Sequence, residues 1–555
     1  LSSGPAATPA PEGDGRRDSI GRASLFLASG TIVSRILGFV SAIILAQVVG
    51  TSGAGDAFAL ATTLPNNIYA IIAGGILTAV LVPQIVKAST DPDGGTRYVN
   101  KIITLGFVVF LAVAVVATVS APLLVALYAE QAGDGSRGFS PEIMALATAL
   151  AYWCLPQVLF FALYSLLGEV LNARKVFGPY TWAPVVNNIV MIAGLLSFAW
   201  IFSGDVSDAS VWTPDMVALL GGASTLGIAA QAFVLFLFWR RAGLRYRPDF
   251  QWRGVGLAQT GKAAGWVFGM ILVTQLAGII HNRVASLAAD DGEPSLAVLR
   301  FAWLIFILPH SIVTVSLGTA YFTRMSGHAR DGRRDLLRDD IGASLRTITM
   351  IMMLATIGLA VVSGPFSRIF SSDPVLVEGM ARVLVAFVIG LIPFSTLFIT
   401  QRVFYALDDT RTPFFIQLAQ SGIFVALALV VATLPSPWIA PGIALVTTIA
   451  GTAQTLISLA ILRRRLGGIG MRLTAQRTGL FALAAIPASA VGLALAVTMG
   501  AFDGGAAREN VGAAIVTMIA IGGAMTVTYA GALSVLRVPE FTALVDPVAK
   551  RLRRR

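Results

Sequence analysis

The sequence carries little charge and few chemically reactive side chains. Charged residues fill 12% of its 555 positions, against about 25% in soluble domains. Cysteine occurs once, as Cys154 inside an apolar run, which excludes an intrachain disulfide and leaves a core-filling role. The three histidines, His281, His310 and His328, lie far apart, and no phosphate-binding glycine loop, HExxH or CxxC pattern occurs. An enzyme is therefore not expected, nor a metal centre or a cofactor. Without an ATPase domain, transport would draw on an ion gradient, the membrane potential or the substrate gradient. Sustained two-residue alternation is also missing, which excludes a transmembrane barrel.

What is present is apolar: 56% of residues are hydrophobic, and the mean hydropathy is +0.78. Many runs reach the roughly 20 residues that cross a bilayer as helix. The expected fold is an all-α polytopic membrane protein with about fourteen spans. They fall near 24–49, 57–85, 102–128, 142–172, 179–203, 216–239, 263–286, 296–322, 342–363, 381–406, 413–433, 439–462, 478–499 and 511–535. Residues 1–20 are rich in proline, glycine and alanine and read as a disordered tail. Of the 40 arginines and lysines, 33 fall in the two terminal segments and in alternate loops. By the positive-inside rule both termini are cytoplasmic, in a multi-pass protein of the plasma membrane. The net charge of +11 reflects that orientation rather than nucleic-acid binding. The intervening loops are acidic or neutral, with Glu130 and Asp134, Asp205 and Asp208, and Asp290, Asp291 and Glu293.

The spans repeat. Leu64-Pro65-Asn66-Asn67 in the second matches Leu308-Pro309-His310-Ser311 in the eighth, and Leu155-Pro156 in the fourth matches Ile392-Pro393 in the tenth. An offset of six spans keeps both copies in one orientation, which is a parallel repeat. It divides the chain into a first lobe at 21–245, a second at 246–470, a two-helix appendage at 471–540 and a basic end at 541–555.

Polar side chains inside the apolar runs are the candidate site. Arg35 stands deep in the first span, where an unpaired guanidinium costs roughly 2.5–3.5 kcal/mol on insertion scales. It either snorkels to the headgroups or lines a cavity that takes an anion. Asn66 and Asn67 either cap the kink at Pro65 or face that cavity. Asp56 suits the start of the second helix. Glu169 is a partner for Arg174 and Lys175. Arg283 and Arg300 flank the loop between the seventh and eighth spans, as interfacial anchors or as cavity cations, and His310 follows the kinking Pro309. Asn187, Asn188, Thr274, Gln275, Gln417 and Gln420 complete the inventory. Arginine's planar fork suits phosphate or diphosphate, so the substrate implied is anionic, and the apolar appendage suits a lipid tail.

Several stretches then resemble one family. S-R-I-L-G-F-V from Ser34, the D-A-F-x-L-A-x-x-L-P-N pattern from Asp56, L-V-P-Q ending at Gln84, L-N-A-R-K-V-F-G-P-Y-T-W-A-P-V-V-N-N and F-Y-A-L-D-D-T-R-T-P are similar to the MurJ/MviN family of the MOP exporter superfamily. The resemblance covers about residues 24–540, and the longest block is most similar to actinobacterial members. It implies two six-helix lobes around a V-shaped cavity with alternating access, and a groove at the last two spans for a polyprenyl chain. The implied activity is movement of lipid II, a polyprenyl-diphosphate-linked sugar, from the cytoplasmic to the outer leaflet. Arg35 matches the family's first cavity arginine. Elsewhere this chain departs from the pattern, with Ser41, Ala70, Gly74 and Trp303-Leu304 where the family carries charged residues. Arg300, one turn before Leu304, is positioned to supply the missing cation. Two other readings stay open. One is an exporter of another polyprenyl-linked glycan or of a drug-like cation, the latter disfavoured by scarce membrane carboxylates. The other is a non-transporting scaffold for cell-wall synthesis, with cytoplasmic, division or elongation partners. Membrane lipids are the surrounding partner in every reading, and a monomer is expected.

Overall fold

The computed structural model describes residues 14–76, 93–133, 137–174, 178–251, 261–289, 292–502 and 505–552, with positions 85, 88 and 176. Most of the 1–20 tail, the L-V-P-Q stretch at 81–84, Asp134, Lys175, Asp290 and Asp291 therefore lie outside the described residues. The chain is all-helical there. A first group comprises α1 (Asp14–Val49), α2 (Ala54–Ile76), α3 (Thr96–Val119), α4 (Ala121–Tyr128), α5 (Pro141–Cys154), α6 (Gln157–Ala173), α7 (Gly178–Ile201) and α8 (Pro214–Leu237). A second comprises α9 (Gly261–Ser286), α10 (Leu296–Pro309), α11 (Val315–Arg330), α12 (Arg334–Val361), α13 (Ser363–Arg368), α14 (Pro374–Val388), α15 (Leu391–Ala406), α16 (Arg411–Val431) and α17 (Ile439–Leu466). Then come α18 (Met471–Thr498), α19 (Val511–Val535) and α20 (Pro539–Leu552). The helix α1 already begins at Asp14, inside the stretch expected to be tail, since no proline follows Pro11 to stop it.

Twelve of these helical stretches are long and apolar enough to cross a membrane, or thirteen with α14 and α15 counted as one bent span. The count comes close to the fourteen expected. The difference falls on α2, where Pro65, Asn66 and Asn67 interrupt the apolar run.

Packing follows the repeat. In the first group α1 lies on α7, α7 and α6 on α8, α3 on α6 and α2 on α5; in the second, α9 lies on α16, α16 on α17, α14 on α17 and α12 on α15. The appendage pairs α18 with α19 and leans on α12, where the Tyr529 hydroxyl donates to the Met350 carbonyl at 3.0 Å. Of the matched prolines, Pro156 and Pro393 both lie at breaks, while Pro65 stays inside an unbroken α2. Pro156 sits at the break between α5 and α6, and Gly390-Leu391-Ile392-Pro393 follows the 42° bend between α14 and α15. Pro309 ends α10 and is followed by a π-turn at His310–Thr314, as expected where a missing N–H disturbs the ladder.

The helices end at two faces. One, here called the basic face, carries Arg240, Arg241, Arg245 and Arg247 after α8 and Arg330, Arg333 and Arg334 between α11 and α12. At the opposite face, helix starts are fixed by N-caps: the Ser140, Thr213, Asp373 and Asn510 side chains accept from backbone N–H groups of α5, α8, α14 and α19.

The two groups meet at this opposite face. Gln47 on α1 donates to the Ile369 carbonyl at 2.6 Å, and the Ser286 hydroxyl accepts from the Glu130 amide at 2.9 Å. Arg137 lays its fork on the end of α16, donating to the carbonyls of Ala432 at 2.9 Å and Leu434 at 2.6 Å. Below this seal the groups separate. On α2 the residues Ala54–Leu64 are mostly buried, whereas Asn66–Ile72 are exposed or half-buried; α10 and α11 show the same change past Phe306.

Two outcomes test this packing. Gly221 on α8 faces Trp153, and an added Cβ would lie 2.6 Å from the Trp153 Cβ. Gly221→Ala is expected to cost about 1–3 kcal/mol, read as a lower unfolding temperature in detergent; an unchanged temperature would contradict the close α5–α8 approach. Arg137→Ala removes the fork from the α16 terminus, for about 1 kcal/mol given its partial exposure, or roughly fivefold in population. A cysteine replacing cavity-lining Ser41 should then react about fivefold faster with maleimide applied at the opposite face. No acceleration would show that Arg137 does not hold the seal.

Candidate functional site

The space between the groups holds a cavity of about 450 Å³. Gly38, Ser41, Ala42 and Leu45 of α1 form one edge, Phe58, Thr62 and Asn66 of α2 another, and Arg300, Trp303, Leu304 and Ile307 of α10 close it from the second group. The α1 positions follow helical spacing, and Arg35, three residues before Gly38, continues the same stripe. The floor, from α6, α7 and α8, carries Gln157, Asn187, Asn188 and Ser224.

Arg300 is the focus of this cavity. Its Nη1 donates to the Thr62 Oγ1 at 2.6 Å, and its guanidinium lies 5.9 Å from the Phe58 ring centroid. No carboxylate pairs with it among the described residues, yet its surface is exposed although it stands within the core. That exposure is to the cavity. The same side chain lines a second chamber of about 370 Å³, with Thr274, His281, Asn282, Gln417 and Gln420 on its walls. Trp303 borders both chambers. In the second chamber Gln454 donates to Gln417 at 2.9 Å, which donates to Gln420 at 2.8 Å. Polar groups in an apolar setting satisfy one another there.

The other expected site residues are distributed differently. Arg35 is exposed on α1. His310 itself is buried against α15, with its Nδ1 3.0 Å from the Ser395 hydroxyl and its ring 4.6 Å from that of Phe394. Asn66 is exposed to the cavity and donates to the Thr62 carbonyl at 3.0 Å, one turn back on its own helix. Asn67 turns away towards α4 and meets the Tyr128 hydroxyl at 3.4 Å. Arg283 pairs with Glu130 and donates to the Ala126 carbonyl at 3.0 Å, so it ties α9 to the end of α4. Asp56 lies in the first turn of α2 and is fully buried. Its Oδ1 accepts from the Ala297 amide at 2.7 Å, so one carboxylate serves the positive ends of α2 and α10 together. Pro65 and Pro309 lie on those two helices, below that junction. Arg174, expected to pair with Glu169, instead donates to the Gly94 carbonyl.

The repeated motifs beyond the cavity shape turns. Asp408 adopts a left-handed φ of 55°. Asp409 beside it accepts from the Thr412 amide at 2.9 Å and pairs with Arg465. Burial pushes the Asp409 carboxyl up, but its bonds to Thr412 and Arg465 outweigh that and hold it below its ordinary range. Gln157, Ser224 and Gln454 were not singled out from the sequence. The signal was there for Gln157, a polar residue directly after a helix-breaking proline in an otherwise apolar run.

Comparison with known proteins gives the same picture. The family described as lipid II flippase MurJ matches residues 45–510. A Haemophilus influenzae protein named probable lipid II flippase MurJ is 25% identical over 401 residues, which covers 69% of this chain and 75% of its own. The solved structure of a lipid II flippase MurJ in an inward closed conformation superposes with a TM-score of 0.69 at 20% identity, over 90% of this chain and 98% of the other. An inward-facing multidrug-resistance MATE transporter of the MOP superfamily superposes with a TM-score of 0.61 at 15% identity, over 80% of this chain and 98% of its own. The family match spans most of the chain, and the chain belongs to the lipid II flippase MurJ family.

Proposed function

We propose that this protein is a lipid II flippase. It takes the sugar-diphosphate headgroup into the cavity from the cytoplasmic leaflet and releases it to the outer leaflet, while the polyprenyl tail stays in lipid. The observation that carries this reading is Arg300, a guanidinium exposed to a deep cavity with no carboxylate partner among the described residues. A diphosphate there supplies the missing negative charge, in bidentate geometry. Arg35 extends the cationic stripe towards the basic face, with Asn66 and Asn67 above it and His310 and Arg283 as supports in the second group.

In this reading the basic face is cytoplasmic, as are both termini, and the membrane is the plasma membrane. The first lobe is 21–245 and the second 246–470, with the groove for the polyprenyl tail at 471–540. The seal at the opposite face then corresponds to an outward gate that is shut, with Asp56 at its centre and Pro65 and Pro309 below it as points where α2 and α10 bend during exchange. An inside-negative potential favours export of the anion by about 2.3 kcal/mol per charge per 100 mV. Ser41 and Leu304 both line the cavity, and this neutral lining favours as a second reading the export of another polyprenyl-diphosphate glycan by the same route.

Outward accessibility of lipid II in cells depleted of their own flippase tests the proposal. Wild-type protein is expected to restore it, Arg300→Glu to abolish it, and Arg35→Ala to lower it, all at equal expression. Failure of well-inserted wild type to restore movement would exclude lipid II as the cargo. Full activity of Arg300→Glu would remove the cationic-cavity mechanism.

A further inference from the structure

The wall facing Arg300 is made of amide side chains, and their hydrogen bonds set which atom each presents. Asn66 directs its Nδ2 to the Thr62 backbone carbonyl at 3.0 Å, and Asn188 directs its Nδ2 to the Ser34 backbone carbonyl at 2.8 Å. A backbone carbonyl only accepts, so neither amide can be turned round without loss. Gln157 gives its Nε2 to the Thr225 hydroxyl at 2.9 Å and to Ser224 at 3.1 Å. The Thr225 proton is itself committed to the Trp153 carbonyl at 2.6 Å, which leaves that hydroxyl oxygen as the acceptor for Gln157. Each of the three amides thus commits an N–H to the protein, which fixes the way it is turned. All three residues line the cavity, Gln157 with 1% of its surface exposed, and the bond directions leave their carbonyl oxygens as acceptors.

Resting on the reading of this cavity as a headgroup site, we propose that Asn66, Gln157 and Asn188 form an acceptor wall for the sugar of the headgroup. Arg300 across the cavity takes the diphosphate. A diphosphate has only acceptor oxygens, so these carbonyl oxygens offer it no bond and repel it through their dipoles. Sugar hydroxyls and the N–H of an N-acetyl group are donors and match it. Donors on one side and acceptors on the other orient the headgroup in a single sense. They also discriminate against a bare polyprenyl diphosphate, which leaves the acceptor wall unpaired; unmet buried polar groups are a strong source of specificity.

Binding to the purified full-length chain in detergent, measured calorimetrically with two probes, tests this. One probe is farnesyl diphosphate; the other is the same lipid carrying a diphosphate-linked N-acetylated disaccharide. Wild type should prefer the sugar-bearing probe about tenfold. Asn66→Leu with Gln157→Met should erase that preference and leave the affinity for farnesyl diphosphate within about twofold, while Arg300→Gln should weaken both probes. Asn66→Leu alone, at a position exposed to the cavity, should reduce the preference in the same direction if the double variant folds poorly. A preference that survives these changes, or an equal loss for both probes, overturns the acceptor wall and leaves the headgroup reading standing. Wild type that binds neither probe overturns both.

Discussion

A charged guanidinium in the middle of a bilayer protein is tolerated only if something replaces its water. Arg300 meets this condition by opening onto a polar cavity, with one donated bond to Thr62 and the Phe58 ring beside it. Much of the surrounding structure follows from that requirement. The cavity must stay wet, so α2 and α10 must diverge directly below Arg300. They must also be firmly joined directly above it, or the two helix groups would not hold the cavity at all.

The join combines a shared apolar core, with Phe39 against Phe366 and Phe370, and side chains bonded to backbone at helix ends. Asp56 accepts from the first turn of α10 while lying in the first turn of α2, and Arg137 donates to the Ala432 and Leu434 carbonyls just past the end of α16. Helix ends have unsatisfied N–H and C=O groups that need partners whatever the conformation. A seal built on them has strong directionality at low side-chain cost, and exposed termini can turn to water when it breaks. That suits a gate which must both close and open.

Much of this was legible in the sequence. The composition, the run lengths and the charge alternation give the helical membrane fold, and the paired Leu-Pro motifs fall at matched breaks near Pro156 and Pro393. Cost marked Arg35, whereas Arg300 was marked by its place beside a loop and one turn before Leu304, as an interfacial anchor or a cavity cation. What was not legible is direction. Asn66 and Asn67 are adjacent and identical, but helical geometry turns them about 100° apart, so one faces the cavity and the other Tyr128. Arg283 and Arg300 flank one loop, and only the packing decides that the first finds Glu130 while the second finds open space. Gln454 sat unmarked because a lone amide in an apolar run has no periodic signal, whereas Gln157 had one in the proline directly before it.

The neutral residues at Ser41 and Leu304 acquire a physical meaning in this setting. A cavity with many arginines would hold a diphosphate tightly in every conformation, and a site that binds equally in both states shifts nothing. With Arg300 bonded to Thr62 across the two helix groups, separation of α2 from α10 would break that bond and change the donors offered to the phosphate. Fewer fixed charges make the site's affinity depend more on this one contact. The amide floor is carried by the first group alone, on α6, α7 and α8. The anion grip therefore depends on how the two groups are placed, while the recognition of neutral donors does not. That division lets a transporter keep hold of its cargo while loosening its grip on the charge.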